Sequence, residues 1–310
     1  MEICKHPHYI FIKAFRVKIF IMSIFREYIG VKPNPITLDD FPSEIINPLI
    51  TEFHFILGFA KEEHDQNGKG TGQFKPTWNM DYFSPEKVKK LKEKHENVRV
   101  VISFGGQGEE NSFNPFKNFQ WSINAANSLK VIIQDYNKVK DNLIDGIDVH
   151  YDYINSNEED FSQCIGDVIK RLKNDISSTT RGYTSIAPSH LVEPHYKWLY
   201  HEYLDLIDLV DYQFYNHTLS SKHELTTLFN DISKDYDVDK LLVGISTYPA
   251  DADKVPPQVF IDGCTELVIN SALRGIFVWS ANDSATNSND KHFSMEEALQ
   301  KIITDNPHKK

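Results

Sequence analysis

The chain has 310 residues, a length that one of the larger single-domain architectures accommodates. A composition 40% hydrophobic and 25% charged, with 14 Gly and 14 Pro, excludes a disordered, coiled-coil or collagenous chain. The net charge of −11 is uneven, with +3 on residues 1–22 and −14 on the rest; an acidic body without a basic stripe excludes nucleic acid and anionic membranes as partners.

Residues 9–22 are apolar and aromatic, but Lys13, Arg16 and Lys18 interrupt them about every third residue. That leaves no room for the apolar core of a signal peptide (about 7–15 residues) or for the roughly 20 uncharged residues of a membrane span. Organised patterning starts at Ser23, directly after Met22, so residues 1–22 read as an N-terminal extension outside the fold and 23–310 as the folded unit. Cys4, Cys164 and Cys264 are odd in number, far apart and without a CxxC pair, which suits reduced thiols. With no signal segment recognised, a cytoplasmic location is expected.

In chain order, strands are expected at 25–31 and 52–60. Ser84-Pro85-Glu86 then supplies an N-cap, a first-turn proline and an early acid for a helix to 95. A strand at 99–104, a helix at 124–138, a strand at 146–151 and a helix at 158–173 follow. Strands at 183–187, 209–215 and 241–245, a helix at 258–272, a strand at 275–279 and a helix at 295–304 complete the series. Eight strands alternating with helical stretches predict an α/β fold, a single (β/α)8 TIM barrel. The rival, a doubly wound sheet holding a dinucleotide, is weak: the glycine cluster Gly105-Gly106-Gln107-Gly108 lacks the GxGxxG spacing. No cofactor is expected. The 13 histidines form no HExxH or similar set, so no metal site is expected either.

In such a barrel the chemistry gathers at the C-terminal ends of the strands. On the fourth strand, Asp145-Gly-Ile-Asp148-Val-His150-Tyr-Asp152 alternates strictly, so Asp148, His150 and Asp152 share one face and Ile147, Val149 and Tyr151 the other. The apolar face suits the helix layer, which turns three ionisable groups inward, where burial is costly unless they pair or work. A solvated strand is the bland alternative.

The motif Asp145-Gly-Ile-Asp148-x-x-x-Asp152 resembles the DGxDxDxE signature of family 18 glycoside hydrolases, the chitinases and their relatives. Ser103, Gly105 and Gly106 are similar to that family's third-strand SxGG segment. Gln213-Phe214-Tyr215-Asn216 resembles the sixth-strand QFYN of plant class III chitinases, and Trp279 the tryptophan that floors the sugar subsite. Segments such as Gly68-Lys-Gly-Thr-Gly72 also resemble a narbonin-type branch of seed globulins. The likeness implies substrate-assisted hydrolysis. A glutamic acid at the last motif position protonates the leaving oxygen, and an aspartate two residues earlier orients the acetamido group that attacks the anomeric carbon. A strand-six tyrosine, here Tyr215, helps hold it.

This chain departs from that pattern at both acidic positions. Asp152 is one methylene short, and His150 replaces the orienting aspartate. The expected state is therefore a degenerate site in a non-catalytic protein with a storage or similar role. The alternatives are a weak chitinase or chitooligosaccharide-binding protein using Asp148, Tyr215, Trp279, Ser103, Gln213 and Asn216, and an interaction or inhibitor protein presenting its loops. A chitooligosaccharide or another protein is the expected partner, and a monomer the expected state. Tyr215 reads equally well as a packed barrel aromatic, and Gly105 and Gly106 as a tight turn.

Overall fold

In a computed structural model that describes residues 23–32, 36–176, 182–270, 272–287 and 291–305, the expected alternation closes on itself. Strand β1 (Ile24–Ile29) pairs in parallel with β2 (Glu52–His64) on one side and with β9 (Gly275–Trp279) on the other. Between them run β4 (Val98–Gly106), β5 (Gly146–Tyr151), β6 (Tyr183–Ile186), β7 (Leu209–Tyr212) and β8 (Leu241–Ser246), each parallel to its neighbours. This is a closed (β/α)8 barrel. The extension expected at residues 1–22 lies outside the described residues.

The alternation sorts side chains into two cores. Ile24, Tyr28, Ile56, Leu209, Leu242 and Phe277 fill the barrel, while Phe25, Ile29, Phe53, Phe55, Ile147 and Val149 face the helices. At about 1.5–3 kcal/mol for each large apolar side chain removed from water, the outer layer supplies most of the driving force.

A ninth strand, β3 (Gly70–Pro76), was not expected. It runs antiparallel to the polar end of β2, which extends four residues beyond its expected limit. The reversal is held by Asp65, whose carboxylate accepts from the Asn67 and Lys69 amides at 2.8 and 2.9 Å. Gly72 sits at φ +75°, and a Cβ there would stand 2.5 Å from the Trp121 carbonyl oxygen. Its absence lets β3 lie against helix α2.

Helices α1 (Pro85–Lys94) and α8 (Ser294–Thr304) fall where expected, and α3 (Glu158–Ile176) starts where expected and runs three residues longer. Ser84 caps α1 by accepting from the Lys87 amide at 3.4 Å. Helix α2 (Asn118–Asn137) starts six residues early because Trp121 and Ser122 are already buried in its first turn, and α6 (Pro257–Ile269) ends three residues short. Three helices were missed: α4 (Glu193–Glu202), α5 (Lys222–Ile232) and the short α7 (Ala281–Thr286). Helix α4 buries Tyr196, Leu199 and Tyr200 between His and Lys, a weak apolar stripe by composition. The strand expected at 209–215 stops at Tyr212, where Gln213 breaks the extended run and Phe214–Asn216 closes a 3-10 turn.

Cys164 and Cys264 are buried free thiols. Among the described residues no helix is long and apolar enough to cross a membrane.

Candidate functional site

The period of two along β5 places Asp148 and His150 inside the barrel, as expected, and Asp152 just past the strand end above them. Asp148 is completely buried and accepts three hydroxyl hydrogen bonds. Tyr28 Oη (2.9 Å) and Ser103 Oγ (2.7 Å) donate to Oδ2, and Ser185 Oγ (2.6 Å) to Oδ1. Three hydroxyl donors from three other strands satisfy this buried carboxylate.

His150 is fully buried too. Its Nδ1 stands 3.3 Å from Tyr28 Oη. The single Tyr28 proton already goes to Asp148, so Nδ1 carries the hydrogen and Tyr28 accepts it. That leaves Nε2 facing Asp152 Oδ1 at 3.4 Å, an ion-pair distance without hydrogen-bond geometry. Burial alone would lower the His150 pKa. The charge of Asp152, followed by Asp148 and Asp211, outweighs it and leaves the imidazole above its ordinary 6.5. For Asp152 burial pushes upward, but the His150 charge and the Gln213 amide prevail and hold it below its usual 3.8. Gln213 Nε2 donates to Asp152 Oδ1 at 3.1 Å and to the Ala187 carbonyl at 2.9 Å, while Asn216 Nδ2 donates to Gln213 Oε1 at 2.8 Å. Both therefore act through Asp152, steadying its ionised form.

Rings enclose His150. Tyr28, Phe59 and Trp279 have centroids 5.5, 5.1 and 5.5 Å from it. Trp279 also meets Tyr28 at 5.0 Å and Phe59 at 6.0 Å, and only 3% of it is exposed. Tyr215 is 4% exposed, its ring 6.2 Å from Phe277 and its hydroxyl without a partner. Gly105 has φ +106°, and a Cβ there would meet the His150 carbonyl oxygen at 2.2 Å; at this residue the bland packing reading holds.

Below this level Arg26 and Asp211 form an ion pair, both side chains wholly buried. Burial first, then the Asp148 charge, pushes Asp211 up to about 7 against the pull of Arg26. Lower still, Glu52 accepts from Tyr183 Oη at 2.5 Å and stands 3.1 Å from His54 Nε2, and burial drives His54 down to about 4.

Tyr28, Phe59, Ser185 and the Arg26–Asp211 pair are the parts of the site that sequence reasoning missed. A signal existed: Ile24-Phe-Arg-Glu-Tyr-Ile29 places two charges and a phenol in an otherwise apolar strand, and charges there must be paired or in use. No group of three or more His, Cys, Asp or Glu side chains among the described residues could hold a metal.

As built, the cluster holds one carboxylate by neutral donors and ties the other to a histidine. It can anchor and orient. Past the strand end, Asp152 is held below the usual carboxylate range by His150 and Gln213.

Residues 40–258 match the model of the glycosyl hydrolases family 18. A tulip protein, Chitinase 1 of Tulipa saxatilis subsp. bakeri, is 36% identical over 88% of this chain and 85% of its own. A soybean (Glycine max) RuBisCO-associated protein is 30% identical over 84% of this chain and 92% of its own. The catalytic domain of a family GH18 chitinase from the fern Peteris ryukyuensis superposes with a TM-score of 0.80 at 32% identity, covering 91% of this chain and 100% of that one. With the family model matching more than half of its length and such relatives spanning most of it, this chain belongs to the glycosyl hydrolases family 18.

Proposed function

We propose that this chain is a non-hydrolysing, chitinase-like member of its family, of the narbonin type, with a storage or partner-binding role in place of glycosidic cleavage. The observation that carries the reading is the His150–Asp152 contact. The residue at the proton-donor position is held below its ordinary pKa by a neighbouring cation and by Gln213, the reverse of what a general acid needs. The near-complete burial of Trp279 supports it, because a sugar stacks on an open ring face and this one lies against His150 and Phe59. The name of the soybean relative, RuBisCO-associated protein, supports a role exercised through a protein partner.

A second reading, chitooligosaccharide binding with weak hydrolysis, draws on the 36% identity to a tulip chitinase and on Asp148 with its intact hydroxyl donors. Calorimetric titration with chitotetraose and chitohexaose, beside a reducing-end assay from pH 4 to 8, separates the two. The first reading expects no turnover above background. Turnover at the level of an ordinary chitinase, abolished by Asp152→Ala, overturns it.

A further inference from the structure

Behind the barrel wall, between β8, α6, α7 and α8, lies a cavity of about 470 Å3, a size usual for small-molecule sites. Tyr248, Pro249, Pro257, Ile261, Phe293 and Met295 make it apolar over most of its lining, and Ser246, Thr247 and Ser284 add hydroxyls. It shares no lining residue with the Asp148–Asp152 cluster.

Glu296 lines this cavity although its residue exposure is 0%, and its Oε2 has no hydrogen-bond partner. Its other oxygen meets Ser284 Oγ, which in turn stands 2.9 Å from Thr247 Oγ1. Beside it on β1, Glu27 is also fully buried, with both carboxyl oxygens unpartnered. Three orphaned acceptor oxygens in one place are unusual, since each buried unsatisfied polar group costs on the order of 1–3 kcal/mol. Among the described residues, the two ammonium groups near the cavity are committed elsewhere: Lys32 to Asp283 at 3.4 Å and to the Tyr248 ring at 4.8 Å, Lys291 to Glu297 at 2.8 Å.

We propose that this cavity is a second binding site, for a primary ammonium group carried on an apolar or aromatic body. The ammonium brings its charge to the Glu296 wall of the cavity, with Glu27 behind it, and the body occupies the space between Tyr248, Ile261 and Phe293. A carboxylate ligand would add a third acid to the pair, and a neutral one would leave its charge uncompensated.

Among the described residues, the charged and titratable groups around Glu296 are Glu27 on β1, Asp283 on α7, Glu297 on α8, and Lys32 and Lys291 at the rim; Pro257 and Ile261 make the α6 wall apolar. Burial, more than any neighbour, raises the Glu296 pKa to about 7. The ammonium prefers the ionised acid, so affinity rises with pH through that value, while an alkylamine stays protonated to well above it.

The test is isothermal titration of the full chain with tryptamine and with tryptophol, which replaces only the ammonium by a hydroxyl. Saturable tryptamine binding is expected at pH 8, at least tenfold weaker for tryptophol. At pH 5.5 it should fall roughly thirty-fold, the ratio of ionised Glu296 fractions for a pKa near 7. Glu296→Gln should remove most of that pH dependence and weaken binding at pH 8 by at least about thirtyfold, since the neutral amide stands in for the protonated acid. Ile261→Trp should abolish binding by filling the cavity, with Asp148 and its partners untouched. Equal affinity for tryptophol, unchanged tryptamine binding in Glu296→Gln, or no saturable binding to the wild-type chain overturns the proposal. The tryptophol comparison needs no substitution, so it stands even where a variant fails to fold.

Discussion

On the proposed non-hydrolysing reading, hydrolysis returns only when positions 150 and 152 change together, and the size of each defect follows from the chemistry of the two side chains. The Asp152 pKa is depressed from an ordinary 3.8, so at pH 7 fewer than about one molecule in 1,500 carries the proton that a general acid must donate. An acid tuned to about 6 would be protonated in roughly one molecule in ten, so the protonation defect alone costs on the order of 10²-fold. The missing methylene withdraws the carboxyl by about 1 Å, a displacement worth on the order of 10²-fold again. The two multiply to about 10⁴-fold, or roughly 5 kcal/mol of barrier. Asp152→Glu alone leaves the imidazole in place and should stay about 10²-fold short of the double variant, below detection. His150→Asp alone removes the cation and crowds Asp148 and Asp152 with a third acid inside the ring of Tyr28, Phe59 and Trp279. It should lower the melting temperature and still give no turnover, because the acid remains short. The double variant His150→Asp with Asp152→Glu should turn over a chromogenic chitooligosaccharide measurably. Activity in the His150→Asp single variant would show that reach is not limiting. An inert but folded double variant would show that burial of Trp279 and Tyr215, not acid chemistry, blocks the site.

Three further perturbations follow from buried charge and backbone geometry. Glu296 is raised from 4.5 to about 7, so its contribution to stability is complete below about pH 4.5 and is lost as pH rises through 7, up to about 3 kcal/mol. Glu296→Gln should therefore melt close to wild type at pH 5 and several degrees higher at pH 8; an equal offset at both values would contradict the assignment. Gly72→Ala should cost about 1–3 kcal/mol in urea unfolding, since a Cβ meets the Trp121 carbonyl at 2.5 Å, whereas Gly68→Ala, with open space around its Cβ, should cost less. Arg26→Met should cost about 3–5 kcal/mol by stranding Asp211, and Arg26→Met with Asp211→Leu should recover most of it. A double variant no more stable than Arg26→Met alone would mean that the pair does more than neutralise itself.

The barrel was legible in the sequence because each strand is a short apolar run and the helices between them carry polar faces. Asp148, His150 and Asp152 were legible for the same reason: a period of two fixes which side chains point inward. Hairpin strand β3 was not, because Gly70–Pro76 contains two glycines and a lysine, and only its seat on Trp121 and Ser128 of α2 makes it a strand. Helix α5 had a local signal that was passed over, Ser221 accepting from the Glu224 amide at 3.3 Å while Glu224 reaches back to Ser220. The share of Tyr28 and Ser185 in holding Asp148 could not be read from spacing. They lie 120 and 37 residues away and meet only because the barrel closes.

That closure also explains why the two departures in the motif belong together. Asp148 is satisfied inside the barrel by three hydroxyl donors. Asp211 has Arg26. An aspartate at 150 would have neither, because the groups left to face it are rings and the Tyr28 oxygen, whose single proton is already committed to Asp148. Histidine there supplies its own donor to Tyr28 and presents a positive edge to Asp152, and Gln213, held in turn by Asn216, completes the coordination of that carboxylate. The short acid is the one that suits this arrangement. A glutamate at 152 would have to fold back to keep the 3.4 Å contact with the imidazole, which would still hold it ionised. His150 and Asp152 thus stabilise each other in a paired, ionised state, and each alone is a poor fit to the residue the family motif would place beside it. This is the physical reason that single changes toward that motif are expected to be silent or harmful.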